Sequence, residues 1–113
     1  MPKRGEVYLA RLDPKEGSDQ ADNRPVVIVS RDAINLSIPV VVVVPCTDAS
    51  HKGRIYPSQV VIKAGDGGLT KDSVALGEQV RAISSARLIK QLGTLRHATV
   101  SQIGIALKIT VDL

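Results

Sequence analysis

The sequence predicts a mainly β fold of antiparallel strands, α+β in class, curled into a small barrel with a helix at its C-terminus. Three observations lead there. Short valine-rich blocks recur through the first two thirds of the 113-residue chain. Gly, Pro and Asp clusters separate them, as turns separate strands. Then the apolar period lengthens from that of a strand to that of a helix.

The elements follow in order. Glu6–Leu12 alternates between Gly5 and Asp13-Pro14 and reads as a strand. Val26–Ser30 and Val40–Val44 are unbroken apolar blocks, which suits strands buried on both faces. Gln59–Ile62 is a further strand, closed by the turn Gly65-Asp66-Gly67-Gly68. Ser73–Leu76 and Gln79–Ile83 are two more, with Gly77 between them as a bulge. Ser84 caps a short helix over Ser85–Leu92 that stops at Gly93. Val100, Ile103 and Leu107 fall on one face of a last helix. A sheet of short strands removes its edges by curling on itself, hence the barrel.

One domain over residues 1–113 is the expected organisation. A chain of this length buries roughly two thirds of its unfolded surface, enough for a core without staples. That core is Val, Ile, Leu and Ala, because the sequence has no Trp, no Phe and two Tyr, Tyr8 and Tyr56. So few aromatics argue against a sheet-wide base-stacking platform. The single cysteine, Cys46, excludes an internal disulfide and a cysteine zinc cluster. No stretch reads as a signal peptide or a membrane span, which points to the cytoplasm. Fifteen Lys and Arg stand against eleven Asp and Glu, a net charge of +4 that favours a polyanionic partner without naming one.

Polar loops between strands are where a small β protein keeps its site. Three qualify: Gly17–Arg24, Pro45–Ser58 and Gly65–Asp72. Arg24 closes the first. Pro25 holds it in extended backbone, and its planar guanidinium suits a phosphate. Read alone, Arg24 is equally a solvated arginine, or a partner of Asp19 or Asp22. Thr47 ends the longest apolar run and offers a hydroxyl that donates and accepts; alone, it is equally an ordinary turn threonine. Cys46 reads as a small buried filler. His51, beside Lys52 and Arg54, is a candidate general base or a surface histidine, and His97 a surface residue. No histidine and carboxylate cluster has metal spacing, so no metal and no cofactor is expected. The Gly65–Gly68 turn lacks the Lys-Ser/Thr of a phosphate loop.

Taken together, RGEVYLARLDPKEGSDQADNRPVVIVSRD, then VVVVPCT, then DSVALGEQVRAISSARLIKQLGTL resemble the MazF/PemK family of toxin endoribonucleases over nearly the whole chain. The resemblance implies an SH3-like, CcdB- and MazF-like β barrel with a C-terminal helix, as a homodimer. It implies metal-independent, sequence-selective cleavage of single-stranded RNA, leaving a 2′,3′-cyclic phosphate and a 5′-hydroxyl. Arg24 and Thr47 take the family's catalytic positions, with His51 as a possible helper. Gly17, Ser18, Asp19 and Gln20 match the segment that holds RNA, and Lys52 and Arg54 extend that surface. Asp72, Glu78, Gln79 and Arg81 match structural or interface positions. The implied partners are single-stranded RNA and an acidic antitoxin, through which alone autoregulatory DNA binding would come. The chain departs from the family at Ala21-Asp22-Asn23, where a glycine is common. A non-enzymatic, gyrase-directed inhibitor of the CcdB type is the alternative on the same architecture.

Overall fold

A computed structural model describes residues 1–12 and 22–113. Seven strands form the sheet: β1 Glu6–Leu12, β2 Asp22–Ile28, β3 Val40–Asp48, β4 Gln59–Ile62, β5 Ser73–Leu76, β6 Arg81–Ser84 and β7 Leu88–Thr94. Two α-helices accompany them, α1 Asp32–Ser37 and α2 His97–Val111. The strand order is β4-β5-β3-β2-β1-β7, with β6 also paired to β3, and every pairing is antiparallel. The antiparallel β fold and the C-terminal helix are as the sequence predicts. The closed barrel is not: among the described residues the sheet stays open, with β4 and β7 at its two ends.

The long β3 organises the sheet. Its Val43–Pro45 stretch pairs with β2 on one side. On the other side Val40–Val43 pair with β6 and Cys46–Asp48 with β5. Pro45, which has no N–H to give, sits where β6 hands over to β5. The handover loops out residues Gly77–Gln79 as a 3₁₀ turn, so Gly77 begins an inserted turn and is not a bulge.

Burial falls on both faces, as the unbroken valine blocks require. Beneath α2 lie Val7, Val27, Val44, Cys46, Val60, Ile62 and Ala75, packed against Ile103 and Ala106. On the opposite face Ala10, Leu12, Val26, Ile28, Val41, Val43 and Ile83 form a second cluster with Tyr8 and Leu88.

The expected helix over Ser85–Leu92 is also corrected. Ser84 does cap, accepting from Ala86 N at 3.2 Å, but it caps a single 3₁₀ turn, Ser85–Arg87. Leu88–Thr94 then pairs with β1 as an edge strand. Ala, Leu, Lys and Gln favour helix weakly, and the open edge of β1 outweighs that preference. The turn at residues 65–68 packs onto β7 so closely that a Cβ on Gly68 would meet Leu92 O at 1.9 Å, with φ at +76°. Only glycine fits there. This turn places Asp66 under the start of α2. Its carboxylate accepts from Arg96 N at 2.9 Å and from Thr99 Oγ1 at 2.6 Å, capping the helix from a distant loop.

Candidate RNA-cleaving site

Arg24 and Thr47 come together because of strand register. β2 and β3 pair Ile28↔Val43, Val27↔Val44 and Val26↔Pro45. Continued two residues outward, the same register sets Arg24 across from Thr47. Side chains alternate along a strand, so both fall on the face that carries Val26 and Val43, away from α2. Arg81, paired with Val43, belongs to the same face. Arg24 is half-buried and Thr47 likewise, where the apolar blocks of β2 and β3 stop. β1 supports the arginine from behind through Ala10↔Arg24.

Cys46, one residue from Thr47, points the other way into the core. Burial pushes its thiol up to about 12, and the positive charge of Arg24 nearby pulls it back only in part. At neutral pH it is a protonated filler and not a nucleophile.

A pocket of about 170 Å³ opens beside Thr47, lined by Pro25, Cys46, Asp48, Thr70, Lys71 and Ser73, with Leu69 at its base. Asp48 is held there as an anion. Its carboxylate accepts from Ser50 N at 2.9 Å, which lowers its pKa, and the charges of Lys71 (3.7 Å) and His51 add to this. His51 closes the 3₁₀ turn Ala49–His51 and is exposed. It therefore stands beside Asp48, one turn beyond Thr47.

The segment that follows carries Lys52 and Arg54. Both lie over the ring of Tyr56: Lys52 Nζ at 5.6 Å from its centroid, the Arg54 guanidinium carbon at 5.3 Å. Glu78 anchors the far end of this loop, accepting from Ser58 Oγ at 3.0 Å and Gln59 Nε2 at 3.1 Å. Burial works to raise the Glu78 pKa, but its backbone and side-chain donors and the charge of Lys52 outweigh that and hold it low. Asp72 is likewise structural, accepting from Ala64 N at 2.9 Å and pairing with Lys63 at 3.7 Å.

Among the sequence-selected residues, Gly17, Ser18, Asp19 and Gln20 lie outside the described residues. Thr70 and Lys71, which line the pocket beside Thr47, and Tyr56, which lies against Lys52 and Arg54, were passed over by the sequence reading. Thr70 and Lys71 fall in the third polar loop, already a candidate location. The signal for Tyr56 was present in Lys52-Gly53-Arg54-Ile55-Tyr56, an aromatic set among cations. Among the described residues no three His, Cys, Asp or Glu side chains are grouped to hold a metal ion.

Comparison with known proteins identifies the family. The family model described as PemK-like, MazF-like toxin of type II toxin-antitoxin system matches residues 3–111. The chain is 39% identical over 118 aligned positions to endoribonuclease MazF9 of Mycobacterium tuberculosis, covering all of this chain and 98% of that one. It is 41% identical over 113 positions to endoribonuclease MazF of Staphylococcus epidermidis, covering all of this chain and 93% of that one. Its fold superposes with a TM-score of 0.81, at 28% identity, on a mycobacterial endoribonuclease solved in complex with its cognate antitoxin, covering all of this chain and 97% of that one. Matched along almost its full length, the chain belongs to the PemK-like, MazF-like toxins of type II toxin–antitoxin systems.

Proposed function

We propose that this chain is a toxin endoribonuclease that cuts single-stranded RNA by activating the substrate's own 2′-hydroxyl. What supports the reading is the register of β2 and β3, which, carried two residues past Val26↔Pro45, sets Arg24 across from Thr47. The 2′-oxygen attacks phosphorus, the bond to the 5′-oxygen breaks, and a 2′,3′-cyclic phosphate and a 5′-hydroxyl result. The proton leaving the 2′-oxygen and the proton gained by the 5′-oxygen need a base and an acid. The nucleophile resides in the substrate, so no metal-activated water is required. Arg24 stabilises the extra negative charge at phosphorus and stands where it can serve the leaving oxygen. Thr47 hydrogen-bonds the phosphate or the attacking hydroxyl. Arginine is a poor base at neutral pH, so His51 is the helper this reading assigns to the 2′-hydroxyl.

The same reading places RNA on Lys52 and Arg54 and on residues Gly17 to Gln20, within a single domain over 1–113. It includes a cytoplasmic homodimer neutralised by an acidic antitoxin; the mycobacterial relative was solved in complex with its cognate antitoxin. Among the described residues no helix is long and apolar enough to cross a membrane. The gyrase-directed, non-enzymatic alternative is not favoured, because the full-length relatives are endoribonucleases. The test is to incubate a long synthetic RNA with the purified protein in EDTA and map the ends. Discrete cuts with cyclic-phosphate ends, lost in Arg24→Ala, are expected. Intact RNA at large enzyme excess overturns the reading.

A further inference from the structure

We propose that Tyr56, with Arg54 and Lys52, forms a base-binding platform that seats one base of the bound RNA and contributes to sequence selectivity. The inference rests on the RNA-cleaving reading above and adds to it a residue and a role. Tyr56 is one of only two aromatic residues in the chain. The other, Tyr8, packs against the second core cluster. Tyr56 instead leaves 49% of its surface exposed. An aromatic ring held at a surface between two cations, in a protein that otherwise builds with aliphatics, serves no packing need.

The ring is also held in place. Tyr56 N donates to Gln59 Oε1 at 3.1 Å, and Tyr56 O accepts from Gln59 N at 2.9 Å. Gln59 in turn donates to Glu78, which also holds Ser58. Glu78 belongs to the turn between β5 and β6, the two strands that flank β3 on one side. The loop therefore starts at the end of the strand bearing Thr47 and finishes clamped to the partners of that strand. A base bound there meets a preorganised surface, and little ordering is needed on binding.

The chemistry of the trio fits a nucleotide. Every base has a π-face, so stacking on an exposed ring supplies affinity. The Arg54 guanidinium, a rigid fork of donors, reads a base edge or holds a phosphate, and the Lys52 ammonium takes the neighbouring phosphate as a point charge. At 5.3 and 5.6 Å both cations are close enough to prefer the ring, yet bound loosely enough to turn to a phosphate. Tyr56 touches a base away from the reacting atoms, so its contribution belongs to binding, and its loss raises KM with kcat little changed.

The experiment uses a short single-stranded RNA containing one mapped cut site, and derivatives carrying a single abasic ribose at each of the neighbouring positions. With the wild-type protein, one abasic position lowers kcat/KM by about tenfold or more, the size expected of a lost stack. Tyr56→Ala cuts the parent RNA with a similar loss, mostly in KM, and is indifferent to the abasic ribose at that position. Tyr56→Phe behaves as wild type. Tyr56→Leu, which keeps the apolar bulk, carries the same test should the alanine variant fail to fold. If Tyr56→Ala and Tyr56→Leu cut the parent within twofold of wild type, or keep the wild-type response to every abasic position, the platform is refuted while the nuclease reading stands. If wild type cuts none of these RNAs, both are refuted.

Discussion

The Arg24–Thr47 pair is made by two residues that say little alone. Each is half-buried at the end of an apolar strand, and each has an ordinary explanation until register joins them. The hydroxyl of Thr47 is then the testable atom. Thr47→Ser keeps it and is expected to retain cleavage within about tenfold. Thr47→Val keeps the shape without the hydroxyl and is expected to lose about 100-fold or more in kcat/KM, the usual cost of deleting one transition-state hydrogen bond. Cys46 supplies the counterpart. Its thiol is pushed up to about 12 by burial, so at neutral pH it neither attacks nor reacts readily. Cleavage by the folded protein should be unchanged after treatment with iodoacetamide; inactivation by alkylation at Cys46 would contradict the assignment.

At the scale of elements, α2 depends on a turn about thirty residues earlier in the chain. Asp66, with its side chain 5% exposed, accepts from Arg96 and Thr99 and stands beside the helix N-terminus. Burial opposes its charge, but these donors win and hold the carboxyl below its ordinary range. The sign follows directly: a carboxylate with a lowered folded-state pKa stabilises the fold above its unfolded value, near 3.9, and that contribution is lost as pH falls through the folded value. Asp66→Ala is expected to cost about 1–2 kcal/mol at pH 7 by chemical denaturation, the scale of a lost cap, and to flatten the decline in stability below about pH 4. A variant as stable as wild type at pH 7 would show that α2 needs no such cap. The sequence announced this turn through its glycines but not its purpose, since the partner residues are distant and the close approach of Gly67 and Gly68 to β7 appears only in the fold. It also announced β1, β4 and β5 with their observed limits, because burial imposes a clear pattern on them. It hid β7, whose largely exposed side chains carry no alternation and whose pairing comes from the edge of β1. The six-residue α1 is too short to show a period. What fixes it is buried Asn35 hydrogen-bonded to Ser30.

For the whole molecule, two apolar clusters occupy opposite faces of the sheet, and a small pocket opens beside Thr47 where the apolar run of β3 stops. The fold class was readable from residues, because valine blocks are local signals; Arg24 and Thr47 are ordinary on position alone and were singled out together by the resemblance of the whole sequence to a family. The openness of the sheet was not readable, because it depends on how distant strands meet; Lys52 and Arg54 lie within four residues of Tyr56, a local signal that was passed over. The central claim is that the site at Arg24 and Thr47 cuts RNA by way of the 2′-hydroxyl. The direct measurement is an RNA oligonucleotide bearing one mapped cut site, compared with the same oligonucleotide carrying a single 2′-deoxynucleotide immediately before the cleaved phosphate, both incubated with the protein in EDTA and resolved by gel. The account predicts that the all-RNA strand is cut to a cyclic-phosphate end and that the substituted strand stays intact at that position. Cleavage of the substituted strand at the same bond would contradict it.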